Sequence, residues 1–158
     1  MKAETKKEFQ RKITHANKTQ LVVILYEMIL AYIDEALEAY QKLDRKQFAF
    51  SLNMARKCIW ELRGNLDFEY SLSKYLYSIY NFMDREFAKD IFGCKNDNLM
   101  EIRLMISKLH DVYEKVSKED TSKPLMENSE EVYAGITYGR GTLNETSSFK
   151  NTNRGFLV

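Results

Sequence analysis

Apolar residues return along this chain at steps of three and four, the repeat that lines side chains along one face of an α-helix. The spacing predicts four helices. The first follows "HANKTQ", where Asn17 is placed to cap and Gln20, three residues on, completes a capping-box pair. It runs to about Lys42, with Leu21, Leu25, Met28, Ile29, Tyr32 and Ala36 on one face. After the polar turn "LDRKQ", Phe48, Leu52, Ala55, Ile59, Leu62 and Leu66 form the seam of a second helix. Gly64, Asn65 and Asp67 weaken helix continuation near "LDFEY".

A third helix is expected from about Leu72 to Ile91, with Leu72, Leu76, Ile79, Tyr80, Met83 and Phe87 inward. "FGCKND" reads as a turn, Gly93 serving as the C-terminal cap and Asn96 or Asp97 as the next N-cap. The last helix presents Leu99, Ile102, Met105, Ile106, Leu109, Tyr113 and Val116 as one clean stripe with little to spare. Short connections favour antiparallel neighbours. The expected fold is therefore all-α: an antiparallel up-down four-helix bundle over residues 13–118, with a short N-terminal arm at 1–12. Residues 119–158 are polar and glycine-containing, and read as a flexible C-terminal tail. Tyr133, Ile136, Tyr138 and Leu143 make that tail more apolar than a plain linker, so docking on the bundle stands beside disorder as a reading.

The wheels leave apolar residues over. Tyr26, Leu30, Ile33 and Leu37 form a second stripe on the first helix, and Phe50, Met54 and Cys58 lie off the seam of the second, with Trp60 on its other side. Tyr75 and Phe82, seven positions apart, share a flank of the third helix, with Tyr77 opposite. A bundle helix needs an apolar arc of about 100° or somewhat more. Two readings account for the surplus. Either the bundle is irregular and the arm and tail lie over the stripes, or the stripes form a groove for a partner helix.

Composition narrows the field. The 158 residues suit one domain, and Lys plus Arg exceed Asp plus Glu by only one, so no strong field points to nucleic acid or to an anionic membrane. No apolar run approaches the roughly 20 residues of a membrane span. "MKAETKKEFQRK" lacks the hydrophobic stretch of a secretory signal. Cys58 and Cys94 show neither metal-ligand spacing nor a disulfide framework, and are expected to be reduced thiols in a cytoplasmic protein.

Catalytic constellations are nearly absent, and no cofactor or metal is expected. His15 and His110 lack the helical pairing of a metal site, and His110 with Glu114 reads as a surface pair. "YGRG" lacks the context of a phosphate loop. A phosphotransfer bundle using His110 is the enzyme-like alternative, opposed by the charges of Asp111 and Glu114. A self-associating helical adaptor is the other.

Three stretches carry a resemblance. "ITHANKTQLVVILYEMI" (13–29), "LRGNLDFEY" (62–70) and "YLYSIYNFMDREF" (75–87) resemble, in order and separation, motifs of the FliS family of flagellar export chaperones. The matching positions are Ile13, Ala16, Leu21, Leu25 and Tyr26, then Leu66, Asp67 and Glu69, then Leu76, Ile79, Tyr80, Phe82 and Met83. Lys18 stands where the family often has proline, Glu27 replaces a common Asp, and Ser71 and Leu72 replace a frequent Gly-Gly. Phe9 is the nearest equivalent of a tyrosine often found in the family's arm. The resemblance implies a cytoplasmic, non-enzymatic chaperone for the C-terminal segment of newly made flagellin. It would prevent premature polymerisation and hand its client to the flagellar type III export gate. Joined to the wheel geometry, it puts Tyr26, Leu30, Phe50, Met54, Tyr75 and Phe82 on the client surface, with Phe9 and Ile13 as arm contacts.

Overall fold

The structure is a computed structural model that describes residues 3–126, with side chains placed from residue 4. Its described residues are all helical with no strand: α1 Ala3–Thr14, α2 Lys18–Gln41, α3 Arg45–Gly64, α4 Ser71–Gly93 and α5 Leu99–Glu119. The expected four helices are present near their expected bounds. The N-terminal arm is a helix in its own right, α1. Most of the sequence-predicted tail, residues 127–158, lies outside the described residues.

Local chemistry fixes the boundaries. Asn17 Oδ1 accepts the Gln20 N–H at 2.8 Å, and Gln20 Oε1 accepts the Asn17 N–H at 3.0 Å, so the capping box forms as read from the sequence. Asp44 caps α3 by accepting the Gln47 N–H at 3.0 Å. Helix α2 ends with Leu43 in the left-handed region at φ 58°, the Leu43 N–H bonding Tyr40 O and the Asp44 N–H bonding Ala39 O. That is the Schellman arrangement, built here on leucine where glycine is usual. At the end of α4 the left-handed residue is Cys94, φ 48°, rather than the expected Gly93. The N-cap of α5 is Asn98, not Asn96 or Asp97; its side chain donates instead to Glu86 Oε2 at 2.8 Å.

Helix α2 is the central element, flanked by α1, α3 and α5, while α4 packs on α3. Contacts along α2 and α5 run in opposite residue order: Thr19 with Asp120, Glu27 with His110, Asp34 with Arg103. The same inversion links α3 and α4, where Arg56 meets Asp84 and Arg63 meets Asn81.

The flanking helices explain where the surplus of α2 went. Tyr26 and Ile33, assigned to its spare stripe, are fully buried alongside Ile29, Tyr32, Ala36 and Ala39. A wheel drawn for a helix with two neighbours undercounts the face of one that touches a third. Leu72 and Val116, expected inward, are exposed, and Ser73 is buried in α4 instead. The core joins Leu52, Ala55 and Ile59 of α3 to Leu76, Met83 and Phe87 of α4 and Leu99, Ile102 and Ile106 of α5. Full burial of each such side chain stabilises by about 1.5–3 kcal/mol relative to exposure.

Candidate binding surface

The interior is chemically closed. The Tyr26 and Tyr80 hydroxyls bond to each other, and Tyr26 stacks tilted on Tyr113 at 5.6 Å between ring centroids. Burial, then the neighbouring tyrosines, pushes the Tyr26 hydroxyl far above its usual range. Burial also carries Tyr80 up to about 12, against the opposing hydrogen bond from Tyr26. Both remain neutral at any working pH. Tyr26 is thus a core residue, which corrects its assignment to an exposed client surface.

The other expected surface residues divide. Leu30 on α2 and Met54 on α3 are partly buried against the main core. Phe50 on α3 is 54% exposed, and Tyr75 and Phe82 on α4 are 70% and 37% exposed. None of these three rings belongs to the buried core cluster. Phe9 of α1 is buried with Ala16 and Ile24, and Ile13 packs beside them, so both arm residues rest on α2. Lys12 holds the arm from its polar side, donating to Glu27 at 2.8 Å while lying 5.5 Å from the centre of the Phe9 ring.

Further rings cluster around the α3–α4 connection. Phe68 meets Tyr77 edge-on at 5.5 Å, and Tyr70 and Leu72 are exposed nearby in sequence. Trp60 is held in place: its Nε1 donates to Asp84 Oδ1 at 3.1 Å, and the Arg56 guanidinium lies 5.3 Å from its ring centre. Arg56 Nε also donates to Asp84 Oδ1, at 2.7 Å. This network fixes one edge of the α3–α4 pair, so the neighbouring rings sit on a preformed scaffold.

Sequence reasoning missed two groups. Phe68 and Tyr70 fall in a connection, where helical periodicity says nothing. Met100, Leu104 and Val112 on α5 are exposed, as is Val116 of the expected stripe, which corrects the reading of that helix as one clean stripe with little to spare. The steps of four from Met100 to Leu104 and from Val112 to Val116 were the available signal.

The polar groups offer little chemistry. Cys58 is buried and its thiol is pushed up to about 11 by that burial and by Glu61, which leaves it a poor nucleophile. His110 sits between carboxylates, with Nδ1 3.2 Å from Asp111 and Nε2 3.9 Å from Glu27. A phosphoryl group there would meet negative charge from α2 as well as from its own helix. Among the described residues no three His, Cys, Asp or Glu side chains converge to hold a metal ion, and no helix is long and apolar enough to cross a membrane.

The described residues thus form an all-helical scaffold with exposed aromatic rings on α3, on α4 and in the connection between them. Residues 1–120 match the sequence profile of the family described as Flagellar protein FliS, well over half of the chain. The chain belongs to the FliS family of flagellar export chaperones. Comparison with curated proteins returned no match.

Proposed function

We propose that this protein binds the disordered C-terminal segment of flagellin in the cytoplasm, keeps it from polymerising, and delivers it to the flagellar type III export gate. In this reading α2–α5, from Lys18 to Glu119, make the antiparallel four-helix bundle expected over residues 13–118, with α1 as the arm and the residues after α5 as the tail. The inverted order of contacts between α2 and α5 and between α3 and α4 supports that arrangement. The client surface is assigned to Phe50, Tyr75 and Phe82, with Leu30 and Met54 at its margin.

One observation carries the reading: within a FliS-family chain, aromatic rings on α3 and α4 remain exposed outside the buried core cluster. Exposed aromatics bury much area at modest entropic cost when a partner arrives. A segment that folds as it binds gives back part of that gain in ordering, which keeps release feasible.

The test is calorimetric titration with a flagellin C-terminal peptide. A large negative heat-capacity change is expected, the mark of apolar burial coupled to folding. Phe82→Asp should preserve helicity and melting temperature while weakening the peptide at least tenfold, a loss of about 1.4 kcal/mol. If Phe82→Asp unfolds the protein, or binds as well as the native chain, the surface is misassigned.

A further inference from the structure

Beyond α5 the chain turns back across the start of α2. Asn17 Nδ2 donates to the Asp120 and Ser122 carbonyls, both at 3.3 Å, and the Thr19 hydroxyl donates to the Asp120 carboxylate. The Ser122 N–H closes a local turn onto Asp120 Oδ1 at 2.9 Å, and the Leu125 N–H donates to Ala16 O at 3.0 Å. Residues 120–125 thus form a strap fastened to the α1–α2 joint by polar bonds.

What the strap carries is apolar. Leu125 lines a cavity of about 270 Å³ together with Leu21, Val22 and Leu25 of α2, Leu62 of α3 and the edges of Lys18 and Asn65. An apolar cavity of about 150 Å³ is enough to admit benzene. Leu125 does not fill this furrow, because it remains 49% exposed. A half-exposed leucine at its mouth, carried by a strap that Ala16, Asn17 and Thr19 hold, shows which chemistry fits there.

We propose that the strap is a built-in placeholder: Leu125 covers the furrow between the start of α2 and the end of α3, and a leucine-sized anchor of the client's amphipathic segment displaces it. This rests on the client-binding reading and adds to it a second contact region, away from the rings of α3 and α4, with a competitor in the same chain. Apparent affinity for the client is then lowered by the fraction of molecules with the furrow open. A half-buried leucine is worth about a fivefold bias toward the covered form.

The test uses the full chain. Leu125→Ser should leave helicity unchanged and tighten the flagellin C-terminal peptide about three- to sixfold, sixfold being the limit set by a fivefold bias toward the covered form. Thr19→Val removes one strap bond without touching the Asn17–Gln20 cap, and should tighten the peptide by a smaller factor. Without client, fluorescence of the apolar dye 8-anilinonaphthalene-1-sulfonate should rise at least twofold in Leu125→Ser. Unchanged or weaker peptide binding in Leu125→Ser, with the native chain still binding, overturns the placeholder and leaves the client reading standing. Failure of both proteins to bind peptide overturns the client reading. The dye then decides the strap alone: a rise supports Leu125 as the cover of the furrow, and no change removes it.

Discussion

Tyr26 and Tyr80 allow a stringent test of how closed the core is. Both rings are buried, and their hydroxyls satisfy each other across α2 and α4. In Tyr26→Phe the Tyr80 hydroxyl stays buried without its partner, and Tyr80→Phe strands Tyr26 in the same way. Each single variant should cost about 1–3 kcal/mol, the desolvation penalty of an unpaired buried hydroxyl. At this chain length that lowers the melting temperature by roughly 3–10 °C. Removing both hydroxyls removes the need for pairing, so the double variant should lie within about 1 kcal/mol of the native protein. The double-mutant cycle would then show a coupling of about 2–6 kcal/mol, the sum of the two single costs that the double variant escapes. Denaturant unfolding of the four proteins measures it. Single costs that simply add would mean that water reaches the pair, and the dry interior inferred here would be wrong. A pH series adds a check of sign. Both hydroxyls ionise at higher pH in the folded protein than in the unfolded chain. Their contribution is therefore complete below pH about 10, the unfolded tyrosine value, and declines above it. The double variant should lack that alkaline loss.

Two further perturbations test the chain elsewhere. The carboxyl of Asp90 in α4 is buried, with Oδ2 lacking a hydrogen-bond partner, and is pushed up to about 6 by burial, then by Glu86 and Asp97, against Lys89. Its folded value lies above its unfolded one, so its stabilising contribution is complete below pH about 4 and lost as pH rises through about 6. Asp90→Asn should stabilise the protein at pH 7.5 by about 1–2 kcal/mol, allowing for solvent screening, with the gain vanishing near pH 4; a gain independent of pH would refute that origin. Leu43 is exposed and holds a left-handed backbone at the end of α2. Leu43→Gly should raise the melting temperature by the equivalent of about 1 kcal/mol, and a fall would show that the leucine side chain matters more than its strained φ.

The helices were legible because their signals are local. Asn17 and Gln20 announced the capping box, and the seam from Phe48 to Leu62 announced the inward face of α3. The neighbours of each helix were not legible. Tyr26 and Ile33 looked spare because a wheel cannot show that α1, α3 and α5 all press on α2. Leu72 looked inward because an apolar residue was taken to mark the buried face, whereas in the first turn of α4 it is the polar Ser73 that is covered. Phe50, Tyr75 and Phe82 were readable as surplus, since each lies well off its helix's inward stripe. Docking of the tail stood among the sequence readings, but the place and bonds of the strap were not legible, for a different reason. Its bonds join residues 16–19 to residues 120–125, a pairing made by topology rather than by any pattern in either segment.

The self-sufficient interior has a consequence for release. A host whose two tyrosines already satisfy each other does not have to refold when its guest departs. On the proposed client reading, the ordering cost of an encounter would fall on the guest and on the strap at Leu125, while the helices of the host keep their places. A carrier built in that way would need only its strap to close before it could take up another passenger.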